Sequence, residues 1–211
     1  MPHVVLLGDS IFDNAAYVGG APDVVRQLRA KLPEGFRATL LAVDGAVTAG
    51  VQSQLRRLPA DASHLVVSVG GNDALRHSGI LAESARSVAE AVHRIAGATD
   101  EFATDYRAML DAVLAQNLPT AVCTIYDPRF DDPLQRKLAA TALATFNDRI
   151  TREGFSRGLP LIDLRLICNE DRDFANPIEP SARGGDKIAA AIAGLVTGHG
   201  FGAGPPVVIA R

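Results

Sequence analysis

The feature that most constrains this chain is an alternation of two periodicities. Short apolar runs rich in β-branched residues occur at Val4-Val5-Leu6-Leu7, Ala38-Thr39-Leu40-Leu41-Ala42-Val43, Leu65-Val66-Val67-Ser68-Val69, Thr120-Ala121-Val122-Cys123-Thr124-Ile125 and Leu159-Pro160-Leu161-Ile162. Continuous apolar runs of this length suit strands covered on both faces. Between them the apolar residues recur at helical spacing: Val24, Val25, Leu28 and Leu32; Val51, Gln54, Leu55 and Leu58; Val88, Val92, Ile95 and Ala96; then Phe102, Tyr106, Met109, Leu110, Val113 and Leu114. Two further helices are expected over Leu134–Ile150 and Ile188–Val196. Parallel neighbours need a crossover that returns across a face of the sheet. The pattern therefore predicts an α/β fold, a three-layer α/β/α sandwich around a five-stranded, parallel, doubly wound sheet of flavodoxin-like type. One domain is expected over residues 1–196, followed by a Gly/Pro-rich tail over 197–211 whose apolar Val207-Val208-Ile209 is open to docking.

Composition narrows the functional classes. With 211 residues, 47% of them hydrophobic and 21% charged, the chain can bury a core without disulfide or metal staples. A formal net charge of -3 leaves no basic field for nucleic acid, which is not an expected partner. The two cysteines, Cys123 and Cys168, lack the close pairing of a zinc or redox motif and are read as small core residues. No metal or organic cofactor is implied. No apolar run approaches the roughly 18 residues of a membrane span, and the expected location is cytoplasmic.

In doubly wound sheets ligands sit outside the carboxyl ends of the strands, so the loops that follow each strand are where chemistry is expected. Gly8-Asp9-Ser10 follows the first strand, and a serine on such a tight turn presents its hydroxyl above the sheet edge. Asp44-Gly45-Ala46 follows the second and Gly70-Gly71-Asn72-Asp73 the third. Glycine N–H groups and an asparagine amide are donors of the kind an oxyanion hole uses.

Taken together, Gly8-Asp9-Ser10, Gly45 and the Gly-x-Asn-Asp of Gly70 to Asp73 resemble the first three blocks of the SGNH, or GDSL, hydrolases, in the right order and over a span from Leu6 to about Ile192. The resemblance implies an esterase-like domain acting on a small-molecule ester or acyl substrate. It assigns Ser10 as nucleophile, and the Ser10 N–H, the Gly45 N–H and the Asn72 side chain as the oxyanion hole. Asp9 is expected to hold the turn at the substrate site.

The family pattern also places a base on a late loop, as Asp-x-x-His followed by Pro. Here Asn176-Pro177-Ile178-Glu179-Pro180 stands there, with Glu179 at the histidine position and Asn176 at the aspartate position. A glutamate is a weaker base than an imidazole unless burial raises its pKa. Glu179 is expected to act as base, with Asn176 donating an N–H to its carboxylate, and Arg183 as a neighbour able to oppose that role by neutralising it. His77 is the one histidine on the correct rim. Tyr126 is expected to line an acyl pocket and Arg129 to meet an anionic substrate group, or else to pair with Asp127, Asp131 or Asp132. Asp13 and Asn14 are candidate caps for the first helix, and Asp171 and Asp173 read as a solvated loop. Two other readings share these residues: a catalytically silent binding protein, and acyl transfer to a sugar or alcohol.

Overall fold

The computed structural model describes residues 1–198, 201 and 207–210. In chain order, β1 (His3–Gly8) leads to α1 (Val24–Lys31). β2 (Arg37–Leu40) is followed by a short 3-10 turn and α2 (Val51–Leu55), and β3 (His64–Ser68) by α3 (Gly71–Arg76), a 3-10 segment at Ser78–Ala82 and the long α4 (Val88–Leu114). β4 (Thr120–Cys123) precedes α5 (Pro133–Ser156), and β5 (Leu161–Ile162) precedes α6 (Leu164–Ile167). A hairpin of β6 (Phe174–Asn176) and β7 (Glu179–Pro180) then leads into α7 (Ala182–Gly198), and β8 (Val208–Ile209) ends the described chain.

The main sheet runs β2-β1-β3-β4-β5-β8 with every neighbour parallel. This is the doubly wound order expected, with six strands rather than five. The sixth comes from the segment read as tail: Val208–Ile209 pair with Leu161–Ile162, while Leu161 N–H donates to Val207 O and Asp163 N–H to Ile209 O. The β5 edge offers unpaired backbone groups that an extended apolar segment satisfies, whereas a two-residue strand behind a Gly/Pro-rich stretch leaves no periodicity to read.

The pleat sorts the strand residues onto two cores. Val4, Leu6, Val66, Ala121 and Ile162 pack with α1 and α7, while Val5, Leu7, Leu65, Val67 and Val122 pack with α4 and α5. Phe102, Tyr106 and Phe146, nearly fully buried, contribute roughly 1.5–3 kcal/mol each by leaving water. The two helical stretches predicted around Val88 and Phe102 form the single helix α4. Their apolar positions 88, 95, 102 and 109 share one phase, and Gly97 between them costs only about 1 kcal/mol against alanine.

The order reverses between β1 and β3, so the loops after these strands meet at the switch point. Gly8 allows this. Its φ is +129°, and a Cβ there would lie 1.7 Å from the Ser68 carbonyl oxygen of the neighbouring strand. The Gln54 side chain, on α2, fastens the same residue by accepting from Gly8 N–H at 2.8 Å and donating to Gly8 O at 2.7 Å.

Candidate active site

Ser10 and Glu179, 169 residues apart in sequence, meet above the carboxyl ends of the strands: Ser10 Oγ donates to Glu179 Oε1 at 3.0 Å. Both are buried, at 6% exposure each. Ser10 sits where β1 turns over, on backbone held by bonds from Phe12 N–H and Asp13 N–H to Asp9 O and from Ile11 N–H to Asp9 Oδ1. Glu179 opens β7. Its partner strand is short, and the tight connection depends on Asn176, whose Oδ1 accepts from both Ile178 N–H and Glu179 N–H at 3.0 Å.

That bonding corrects the expected role of Asn176. It braces the turn through the backbone, where the sequence suggested a donor to the Glu179 carboxylate. Glu179 Oε2 is buried without a hydrogen-bond partner among the described residues. Desolvation, with the Asp44 charge nearby, therefore pushes the Glu179 pKa up to about 7, against the lowering effect of the Ser10 hydroxyl. Arg183 does not oppose this shift: it bonds Asp173 at 3.1 Å and Glu170 at 3.2 Å. Asp173, read as solvated, is fully buried and bonded to Lys187 at 2.6 Å, and these cations keep its carboxyl below the usual range.

Of the residues expected from sequence to donate to an oxyanion, Ser10 and Asn72 line the same cavity, and Gly45 does not. Gly45 lies in an exposed turn with φ +76°. The Asn72 amide donates to Ala46 O at 2.9 Å, which fixes its plane beside that turn, and its second N–H meets no acceptor among the described residues. Neither the Ser10 N–H nor the Gly45 N–H donates to a protein acceptor among the described residues. The loops are laced to each other: Asp44 N–H donates to Asp13 Oδ2 at 3.0 Å, and Thr48 N–H to both oxygens of Asp73. Asp9, at 3% exposure, is a turn residue beneath Ser10; burial raises its pKa to about 8, so it is mostly neutral at pH 7.

From Ser10 a cavity of about 650 Å³ opens, with Asn72 and Glu179 at its polar end and walls that include Ile95, Ile125, Leu138 and Phe146. The Tyr126 ring joins this wall, but its hydroxyl donates to Ile178 O at 2.7 Å. Arg129 lies outside the cavity and corrects a second expectation. Its guanidinium donates to Asn169 O at 2.7 Å, lies 5.4 Å from the Phe174 ring centre and approaches Asp171 at 3.7 Å, so it holds the chain leading to Glu179 and none of the acidic partners considered for it. His77 lines the cavity and approaches Glu101 at 4.0 Å.

Sequence reasoning weighed Asn14 only as a cap. The N-cap of α1 is Asp23, whose side chain accepts from Arg26 N–H; Asn14 accepts from Val24 N–H beside it and donates to Pro180 O at 3.2 Å, tying the serine loop to the glutamate hairpin. The described residues contain no cluster of His, Cys, Asp and Glu able to hold a metal ion, and no helix among them is long and apolar enough to cross a membrane.

The fold recurs in solved structures. An extracellular lipase from Streptomyces rimosus superposes with a TM-score of 0.68 at 17% identity, over 90% of this chain and 97% of that one. An esterase from Pseudoalteromonas sp. gives 0.62 at 18% over 90% and 93%, and a carbohydrate acetylesterase from Sinorhizobium meliloti 0.66 at 11% over 93% and 99%. None of the curated proteins matches the sequence significantly. The model of the GDSL-like Lipase/Acylhydrolase family matches residues 6–187, nearly the whole domain with both the serine turn and the glutamate hairpin, and the chain belongs to that family.

Proposed function

We propose that the protein is a serine carboxylesterase whose general base is Glu179. The observation that carries this reading is the 3.0 Å hydrogen bond from Ser10 Oγ to Glu179 Oε1 at the mouth of an apolar cavity. The distance lies within the range for direct proton transfer. A base with a pKa of about 7 is also matched to neutral pH, being half ionised where it must accept a proton and half protonated where it must return one.

As Ser10 Oγ attacks the acyl carbon, its proton passes to Glu179 and the carbonyl oxygen becomes an oxyanion facing the Ser10 N–H, the Gly45 N–H and the Asn72 amide. Collapse breaks the bond to the alcohol oxygen, which takes the proton from Glu179. Water then repeats the sequence on the acyl-enzyme: Glu179 accepts its proton, the carboxylic acid leaves, and Ser10 is restored. The cavity walls accommodate the apolar part of the ester.

The test is turnover of a short activated ester by the wild type, Ser10→Ala and Glu179→Gln, with labelling of Ser10 by a fluorophosphonate. Loss of activity in both variants, with labelling only where Ser10 is present, is the expected result. Full turnover in Glu179→Gln removes that residue from the mechanism. An unlabelled, inactive but folded wild type points to the silent binding protein instead.

A further inference from the structure

A glutamate used as base carries three side-chain torsions, and this one has no second group on its carboxylate to hold it. Oε1 meets Ser10 and Oε2 meets no partner among the described residues. Its position must therefore come from the backbone beneath it. β7 is two residues long and its pairing with β6 is irregular, so strand pairing alone is a weak hold.

The hold comes instead from the peptide groups around Glu179. Tyr126 OH donates to Ile178 O at 2.7 Å, on the residue before the base. Asn14 Nδ2 donates to Pro180 O at 3.2 Å, on the residue after it, and Arg129 N–H to Pro177 O at 2.8 Å. Tyr126 is 3% exposed and its ring stands edge-on to Phe174 at 4.8 Å, so the phenol is fixed by packing before it reaches the carbonyl. We infer that Tyr126 is a positioning residue for Glu179, holding the base at Ser10 through the Ile178 peptide where a side-chain partner on the carboxylate is missing. This rests on Glu179 being the base. Burial holds the phenol neutral well past its ordinary pKa, so the bond persists through the working pH range.

The experiment is a double-mutant cycle of Tyr126→Phe and Glu179→Gln on a short activated ester, with pH profiles and melting temperatures. Phe keeps the ring and removes only the hydroxyl. In the wild-type background kcat is expected to fall roughly 10- to 100-fold, as for a misplaced catalytic group, with KM changed less than about 3-fold. In the Glu179→Gln background the same substitution should change the residual rate by less than about 2-fold. A loosened Ser10–Glu179 bond should also move the acid limb of the profile to higher pH, because that bond lowers the base's pKa. A role in cavity packing or stability alone would give equal losses in both backgrounds and an unmoved limb, and either result overturns the inference. Collapse of Glu179→Gln beside an unaffected Tyr126→Phe refutes only this inference, whereas an active Glu179→Gln refutes the base itself.

Discussion

If Glu179 is the base, the rate must follow its ionisation. Burial, with the Asp44 charge, places its pKa at about 7, against an ordinary 4.5. The reactive form is the carboxylate, so its fraction is about one-eleventh at pH 6, about one-half at pH 7 and about ten-elevenths at pH 8, from the titration of a single group. kcat/KM should therefore rise about tenfold between pH 6 and pH 8, along a curve that approaches unit slope only below pH 6 and levels off above pH 8. The assay is initial rates on a short aryl ester followed at the isosbestic wavelength of the phenol and phenolate, so that titration of the reporter is not read as the enzyme's. Glu179→Gln should lose the limb along with roughly 10²- to 10⁴-fold of rate, the usual worth of a positioned general base. A limb that survives in Glu179→Gln assigns the titration to another group, and a flat wild-type profile from pH 6 to 8 removes the upward shift of the Glu179 pKa on which this profile rests. Either outcome refutes the reasoning.

Asp9 gives a stability counterpart. Its folded pKa of about 8 lies above the unfolded value, so its contribution is fully present below about pH 4 and is lost as pH rises through 8, at up to about 1.4 kcal/mol per pH unit. Asp9→Asn keeps the oxygen that accepts from Ile11 N–H and cannot ionise, so its melting temperature should gain on the wild type's from pH 5 to pH 9; a constant difference would refute the shift. Asn72→Ala should lower kcat about 10²- to 10³-fold with KM little changed if the amide binds an oxyanion, and a loss confined to KM would place it in substrate binding alone. Gly8→Ala should cost more than about 4 kcal/mol in denaturant unfolding, since both the +129° φ and the Ser68 carbonyl reject a Cβ; a soluble variant of wild-type stability would contradict the close approach of β1 and β3.

The sheet order and the separate rim loops were legible because each depends on local signals: apolar runs of strand length, glycine turns after them, and the rule that parallel strands put their loops on one edge. The partners of long polar side chains were not. Arg129 lies close in sequence to Asp127, Asp131 and Asp132, yet its guanidinium reaches Asn169 and Phe174, because the fold brings the chain before Glu179 over the end of β4. Asp173 sits in an acidic run that reads as solvated, and only the return of α7 shows that Lys187 and Arg183 bury and pair it. Asn14 was expected as a cap, but Asp23 caps α1, and the bond of Asn14 to Pro180 O spans 166 residues and has no local trace.

The same placement of cations bears on the proposed role of Glu179 as base. Arg183 lies four residues from Glu179, and one contact between them would hold the carboxylate ionised and weakly basic at neutral pH. Instead Asp173 and Glu170 occupy Arg183, and Asp173 also holds Lys187, so the positive charge of this region is spent on a buried structural acid. Glu179 is left with a hydroxyl on one oxygen and, among the described residues, no partner on the other. An aspartate at 176 could accept the same two backbone N–H bonds, but its charge would sit three residues from the base and raise the base's pKa further, leaving less carboxylate at neutral pH. Asparagine makes those bonds without the charge. On the proposed mechanism, the Glu179 and Asn176 departures would both bear on one quantity, the proton affinity of the group facing Ser10. Asn176→Asp should accordingly shift the acid limb upward while leaving the fold intact, and a limb that stays in place would separate the two changes.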